Sequence, residues 1–492
     1  MLLSLAMIVR DEEEMLPGCL ASVKDVVDEM IVVDTGSKDS TVAIAKSYNA
    51  QVIEVAWRGD FAAARNVGLS AARGKWILVM DADERFVGKR KVLLQALNKP
   101  GVIAFDVPIH NEIDGREDLH STIRLFRNLA GVRFERRLHE QVIPSLVRVR
   151  PDGRIEPAPF HLRHLGYSSV EVVRKGKRER NIVLAKAEAE AHPDEPFTIY
   201  NLGVEYLASG QLDAGLAEFR RARALVPYPH PSHGRFYKLE AQVLSRQGNL
   251  DEALEVVELF LSKWPDYTDL HYTKGAIFQQ RGDWQEAERE FRQCLRLGPA
   301  PTPPYNGVDP MYGGLDAEYA LGGVLAMQGR FREAMRHLRG VVKKRPGDMP
   351  AVRLLVECAI AAGEDLDGLW RTPPPGPAEV GSALFRLGHY GLALRAFEEA
   401  ELLRADLPVD HFLVKALAYL RLQDARSAER QIKAAGPGVW ASKRAYVVDL
   451  IEWKLGRKTL DELEASYPEN HPLWRDVPVT AALGEKTQGD AL

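Results

Sequence analysis

Short, mostly apolar stretches alternate with amphipathic helical segments through the first hundred residues. Residues 3–9, 30–33, 51–55 and 76–80 have strand length and the near-continuous apolar character of strands covered on both faces. Between them, residues 13–24, 40–47 and 61–73 repeat their apolar positions at helical spacing. Strand and helix alternating at this pitch predict a parallel sheet with helices on both sides. Residues 1–9 are too short to cross a bilayer and run straight into Arg10-Asp11-Glu12-Glu13-Glu14, so they are expected to form a buried first strand. No apolar run of about 18 residues follows, so no integral membrane association is expected, and lipid-linked material would be met only at the membrane surface.

From residue 198 the pattern becomes helical throughout, and a period appears. Gly210, Gly248, Gly282 and Gly329 are each followed 17 residues later by a proline, at Pro227, Pro265, Pro299 and Pro346. The last three of these glycines also have an alanine five residues on, at Ala253, Ala287 and Ala334. This reads as a helix, a glycine turn, a second helix with a small residue at the crossing, and a proline stop. Gly388 with Ala393, and Gln423 with Ala428, continue the pattern more loosely. Spacings of 34 to 38 residues with small residues so placed resemble tetratricopeptide repeats. The interval from Gly282 to Gly329 is 47 residues because a proline- and glycine-rich stretch, residues 299–315, is inserted, either as a binding face or as a solvated connection. The expected organisation is an α/β domain over 1–170, a linking helix over 171–197, an all-α repeat solenoid over 198–437, capping helices over 438–475 and a flexible tail over 476–492.

At 492 residues the chain is long enough for two or three domains, and a formal charge of −4 with 27% charged residues calls for no nucleic-acid partner. Cys19, Cys294 and Cys358 lie too far apart in sequence for a metal-ligand motif or a disulfide framework, which fits a reducing, cytoplasmic location.

The sharpest chemical signal is Trp76-Ile77-Leu78-Val79-Met80-Asp81-Ala82-Asp83-Glu84, an apolar strand ending in two carboxylates one residue apart. Ligands of open α/β sheets bind beyond the carboxyl ends of the strands, and hard oxygen donors there suit a divalent ion carrying a diphosphate. A phosphatase using an aspartate nucleophile would continue into a threonine turn, whereas Glu84-Arg85-Phe86 follows here. A nucleotidyltransferase would want a glycine-rich phosphate loop with a lysine, and the first turn offers acids instead.

Three further phrases stand in order with this one: Ser4-Leu5-Ala6-Met7-Ile8-Val9-Arg10-Asp11-Glu12-Glu13, Ile31-Val32-Val33-Asp34-Thr35-Gly36-Ser37-Lys38-Asp39, and Phe61-Ala62-Ala63-Ala64-Arg65-Asn66-Val67-Gly68. Together they resemble the family 2 glycosyltransferases, which implies a GT-A fold, a nucleotide-sugar donor, for which a UDP-sugar is the expectation, and Mn2+ or Mg2+ as cofactor. The resemblance implies a donor site on Val9, Arg10, Glu12, Asp34, Thr35, Gly36, Asp60, Arg65, Asn66, Asp81 and Ala82. In that reading Asp34 accepts hydrogen bonds from the base, with capping of the helix that opens at Ser40 as its alternative, and Arg65 faces the diphosphate.

Asp81 and Asp83 are then the implied metal ligands. A third comes from the closing phrase Phe160-His161-Leu162-Arg163-His164-Leu165-Gly166-Tyr167, with His164 the choice and His161 or His139 the alternatives. Inversion at the anomeric carbon needs a base beyond the metal strand. In Phe134-Glu135-Arg136-Arg137-Leu138-His139-Glu140 the candidate is Glu140, with His139 as the other. The commoner family pattern has a Glu-Asp pair at this point, so this chain departs from it. Arg124 and Arg127 are further candidates for orienting donor or acceptor.

A domain of this type ahead of such repeats is similar to bacterial enzymes that glycosylate peptides or proteins, the peptide S-glycosyltransferases of the glycocin group among them. A peptide or protein acceptor held by the repeats is therefore expected. Transfer in lipopolysaccharide or capsule assembly is the alternative acceptor class, a non-catalytic repeat scaffold is the alternative to an enzyme, and a homodimer stays open.

Overall fold

The computed structural model describes residues 2–113, 116–165, 177–226, 233–298, 310–371, 373–403, 411–434, 441–459, 462–463 and 466. It divides into two compact units, one built on Met1–Thr273 and the other on Lys274–Pro299 with Pro310–Leu492. The first unit thus runs past residue 170, the expected end of the α/β domain, and takes in the opening repeats.

The first unit holds a nine-stranded sheet in the order β3-β2-β1-β4-β7-β6-β9-β5, with β8 added beside β6. β1 (Leu3–Val9), β2 (Glu29–Asp34), β3 (Gln51–Glu54) and β4 (Trp76–Val79) are mutually parallel, as the apolar runs predict. β1 lies at the centre with six of its seven residues buried, which explains its unbroken apolar sequence. The linking helices α1 (Leu16–Val23), α2 (Thr41–Ser47) and α3 (Phe61–Ala71) fall within the predicted segments. α1 and α2 pack with Leu3, Leu5, Met7 and Val9 into one apolar layer, while α3 packs against Ala6, Ile77 and Val79 on the opposite face.

Beyond residue 80 the sheet becomes mixed, β4–β7, β6–β7 and β5–β9 pairing antiparallel and β6 pairing parallel with β8 and β9, which the residues had not announced. β5 (Glu84–Val87) follows the acidic turn, α4 (Arg90–Leu97) crosses over, and β6 (Val102–Ile113) pairs antiparallel with β7 (Arg116–Arg127). β7 in turn pairs antiparallel with β4, Trp76 standing opposite Arg127. α5 (Ile143–Val149), β8 (Arg154–Pro157) and β9 (His161–His164) complete the sheet. The helices that follow in the same unit begin with α6 (Lys177–Ala191) and α7 (Pro196–Ala208). Within the expected linker range the described residues hold α6, and α7 opens at Pro196 with its proline in the first turn. Residues 171–176 of the expected linker lie outside the described residues.

The repeat pattern has a physical basis at each turn. Gly210, Gly248, Gly282, Gly329 and Gly388 have φ of 79°, 83°, 85°, 74° and 82°, the left-handed conformation in which a helix ends most cheaply on glycine. Gln423 adopts φ 63° at the corresponding turn, which explains why the pattern there looked loose. Ala253, Ala287, Ala334, Ala393 and Ala428 are fully buried. The apparent exception after Gly210 is Gly215, where an added Cβ would stand 3.1 Å from the Gly203 carbonyl oxygen. In the second unit, Leu315–Met327 with Phe331–Lys344, Pro377–Arg386 with Tyr390–Leu402, and His411–Arg421 with Ala425–Ala434 continue the helical pairs. Of the expected insertion, Pro310–Gly313 is one short 3-10 turn and residues 299–309 lie outside the described residues. Ala441–Lys454 is helical as expected of a cap, while most of 455–475 and all of 476–492 lie outside the description, as do Gly166, Tyr167 and Pro227. No described helix is long and apolar enough to cross a membrane.

Candidate active site

Because β1, β2 and β4 are parallel and in register, Val9 opposite Asp34 and Ala6 opposite Val79, their carboxyl ends open on one side. The turns that follow them rim a cavity of about 930 Å³. Of the residues predicted for the site, Val9, Arg10, Glu12, Thr35, Arg65, Asp81, Ala82, Asp83, His139, Glu140 and His164 all line it. Asp34, Gly36, Asp60 and Asn66 do not.

The turn after β2 is closed by its own aspartate. The backbone N–H groups of Gly36 and Ser37 each donate to Asp34 Oδ2 at 3.0 Å, and the Ser37 hydroxyl donates to Oδ1. Asp34 is 3% exposed, so its carboxylate serves as the local cap of this turn rather than as an acceptor facing the cavity. The first acidic turn is locked to the same segment: the Asp11 N–H donates to Ser37 Oγ at 2.9 Å, Glu12 N–H to Thr41 Oγ1 at 2.7 Å, and Lys38 N–H to Asp11 Oδ1 at 2.7 Å. This interlocking fixes the position of Val9, Arg10 and Thr35 on the cavity wall.

The turn after β4 is built differently. Arg65 Nη2 donates to Asp81 Oδ1 at 2.9 Å and Arg124 Nη2 to Asp81 Oδ2 at 2.7 Å. Arg124 Nη2 also donates to Glu84 Oε1 at 2.7 Å, and Arg65 Nε to Glu140 Oε1 at 2.5 Å. Three carboxylates and two guanidiniums thus form one continuous chain, Glu140–Arg65–Asp81–Arg124–Glu84, with a net negative charge. Burial pushes the Asp81 carboxyl up, but Arg124 and Arg65 outweigh it and hold it far below the usual carboxylate range. Burial dominates at Glu84 and raises it against the pull of Arg124. Arg65, expected to meet a diphosphate directly, instead spans Asp81 and Glu140, leaving its Nη1 buried without a hydrogen-bond partner. The loop itself is pinned to α1 by Arg85, whose Nη2 donates to the Met15 carbonyl at 3.1 Å and Nη1 to the Ala82 carbonyl at 3.0 Å.

Asp83 faces the other way. The antiparallel register of β5 on β9 sets Glu84 opposite His164, and His164 Nε2 lies 3.2 Å from Asp83 Oδ2. The hydrogen bond that His164 donates to Asp83 raises its imidazole above the ordinary value, against the opposing effect of burial. Neighbouring ligands of an octahedral ion with bonds of about 2.1 Å stand about 3 Å apart, so this oxygen–nitrogen pair has the spacing of two adjacent ligands. Asp83 Oδ2 and His164 Nε2 are thus an oxygen and a nitrogen donor of the kinds divalent ions take, here hydrogen-bonded to each other. Asp81, the other expected carboxylate ligand, already has both oxygens on guanidiniums, and among the described residues no cluster of three or more His, Cys, Asp or Glu side chains has ion-binding geometry. His161 packs its ring against His110 at 4.5 Å instead of joining Asp83, and Arg127 lies 4.6 Å over the Trp76 ring with Nε on the Val102 carbonyl.

The segment carrying Glu140 is held by side chains that the sequence had assigned to the donor. Asn66 donates from Nδ2 to the Phe134 carbonyl at 2.9 Å and accepts the Phe134 N–H on Oδ1 at 2.8 Å, so both ends of its amide are used here. Asp60 caps α3 by accepting from the Ala63 N–H at 2.8 Å. Phe61 N–H donates to the Arg137 carbonyl at 2.9 Å. The rest of the support comes from α6 and α7. Glu188 accepts the Arg137 N–H at 3.2 Å, Glu195 pairs with Arg136, and the Arg136 guanidinium lies 4.3 Å over the Phe197 ring. His139, at φ 54°, places Nε2 3.0 Å from Glu205 Oε1. His139 is thus tied to the first repeat helix, while Glu140 beside it reaches Arg65. Arg180 and Asn181 of α6 also line the cavity, with Trp57 and Phe61 stacked edge to face at 4.8 Å on the wall. Nothing local in the sequence marked Arg180, because a cation early in an amphipathic helix usually faces solvent.

The sequence profile described as Glycosyl transferase family 2 matches residues 4–149, and the Tetratricopeptide repeat profile matches 200–268 and 272–349. A TPR repeat-containing protein of Synechococcus elongatus is 36% identical over 309 residues, spanning 60% of this chain and 75% of that relative. The SPbeta prophage-derived glycosyltransferase SunS of Bacillus subtilis is 30% identical over 211 residues, 40% of this chain and 47% of its own length, so this chain spans about half of that protein. Among solved structures, a tetratricopeptide repeat protein from Parabacteroides merdae matches 58% of this chain and 96% of its own with 14% identity and a TM-score of 0.34.

Proposed function

The chain belongs to the family 2 glycosyl transferases and carries tetratricopeptide repeats behind that domain, and from this we propose a metal-dependent, inverting transfer of a sugar from a UDP-sugar to a peptide or protein side chain. The observation that carries the reading is the convergence, on one cavity, of the Asp83–His164 pair, Glu140 and the turns after β1 and β2. Asp83 and His164 would hold the divalent ion. Such an ion offsets the charge that builds on the departing diphosphate.

Within that site the chain's own residues have distinct tasks. The turn fastened by Asp34 presents Thr35 and Val9 to the nucleoside, while Trp57 and Phe61 shield the reacting centre from water. Glu140 is the base: its Oε1 is fixed by Arg65, and its Oε2 receives the proton as the acceptor hydroxyl or thiol attacks the anomeric carbon and the bond from that carbon to the diphosphate breaks. Asp81 acts through Arg65 and Arg124, setting the guanidinium that orients Glu140. The repeats suit an extended peptide acceptor, because a solenoid offers a long concave surface. We place the protein in the cytoplasm, where three buried free thiols, Cys19, Cys294 and Cys358, stay reduced.

The reading is tested with the full chain, a panel of UDP- and GDP-sugars, and acceptor peptides bearing Ser, Thr and Cys, with and without manganese. Nucleoside diphosphate release and a hexose mass shift on a peptide are expected with a UDP-sugar and manganese. Absence of turnover with every donor would overturn it.

A further inference from the structure

Most basic side chains around the cavity already have an acidic partner. Arg65 is shared by Asp81 and Glu140, His139 is paired with Glu205, and Asp83 engages His164. Arg10 stands 3.8 Å from Asp11, both half-exposed at the end of β1. Arg180, in the first turn of α6, differs: among the described residues no carboxylate lies within ion-pair distance of it. Its guanidinium donates to Asn181 Oδ1 at 3.1 Å and lies 5.3 Å over the Phe61 ring. The surrounding protein, and after it the charge of nearby Arg10, push this guanidinium below its ordinary value, with Glu205 acting the opposite way. Arg10 and Arg180 both line this one cavity. Like charges so placed repel until an anion lies between them.

We propose that Arg180, carried by a helix beyond the matched family segment, binds the donor's diphosphate together with Arg10. The inference rests on the donor reading above and adds to it a residue from the helix that leads into the repeats. The ring of Phe61 and the amide of Asn181 restrain the planar guanidinium, which lowers the ordering cost when it forms a two-pronged contact with phosphate oxygens. One helix would then serve both the donor, through Arg180, and the Glu140 segment, through Glu188.

The test is calorimetric titration of the full chain with UDP, GDP and inorganic pyrophosphate, in manganese, for the wild type and for Arg180→Ala and Arg180→Lys. Arg180→Ala is expected to weaken nucleoside diphosphate binding about 10- to 100-fold, since a charge-assisted contact is lost. Arg180→Lys should restore part of it by returning the charge without the fork. In turnover, the donor KM should rise while the acceptor KM and the melting temperature stay unchanged. Equal UDP binding by wild type and Arg180→Ala would remove Arg180 from the site while leaving the donor reading standing. A fall in melting temperature matching the loss of binding would make Arg180 structural, which also overturns the proposal. Failure of the wild-type chain to bind UDP, GDP or pyrophosphate would sink the donor reading itself.

Discussion

Two parallel strands side by side with β1 end in aspartates, and the two carboxylates are satisfied in opposite ways. Asp34, at the end of β2, takes backbone N–H groups and a hydroxyl from the next three residues. Asp81, after β4, takes guanidiniums from α3 and β7. The first arrangement is local, neutral in its donors and fixed by chain connectivity. The second is ionic, assembled from distant segments and shared with Glu84 and Glu140. An aspartate closed on its own backbone is a structural cap, whereas one held by guanidiniums from distant segments is part of a charge network that a charged ligand can engage.

Breaking the ionic end should have the largest consequence. Arg124→Ala would leave Glu84, 2% exposed, with its main counter-charge gone, and should cost about 3–5 kcal/mol of stability in a denaturant titration. Adding Glu84→Gln should return a substantial part of that loss, because the uncompensated charge is removed. A loss below about 1 kcal/mol in the single variant would mean that the network carries little of the fold's stability.

Next comes the face of the same turn that points to His164. Asp83→Ala should lower manganese-dependent turnover by about 10²–10³-fold with the melting temperature little changed, since a ligand to charge-stabilising chemistry is removed. Turnover within a few-fold of wild type would remove Asp83 from the ion. A smaller effect is expected where the support is indirect. Asn66→Ala frees both hydrogen bonds to Phe134, costs about 1–2 kcal/mol, and should depress turnover by letting Glu140 drift while UDP affinity holds. Loss of UDP affinity in that variant would return Asn66 to the donor. Smallest of all is Asp34→Asn, which keeps one acceptor oxygen and should cost about 1 kcal/mol. A large loss of nucleotide affinity with unchanged stability would show that Asp34 meets the base after all.

How much of this was legible depends on whether the signal was local. The four parallel strands and three helices follow from apolar periodicity alone, and the repeat turns follow from glycines that only a positive φ explains. β6 and β7 were not legible, because their partners, β4 on one side and β8 and β9 on the other, lie far away in sequence and cannot be read from one strand. The site residues divide the same way. Motif order led to Asp81, Asp83, His164 and Glu140, and the structure gathers all four at one cavity. It could not tell which carboxylate takes cations and which takes the histidine, since that is decided by Arg124 on β7 and by the register of β9. Asn66 and Asp60 were misplaced at the donor because a motif records that a residue recurs, not whether it touches ligand or staples a loop. Arg180 was missed because its role comes from the placement of α6 over the first domain's cavity.

The central claim is that a divalent ion sits at the end of the fourth strand with Asp83 among its ligands. Calorimetric titration of manganese into the full chain saturated with UDP tests it most directly. One ion per chain is predicted for the wild type and for Arg65→Lys, and none for Asp83→Asn. Wild-type manganese binding by Asp83→Asn would contradict the account.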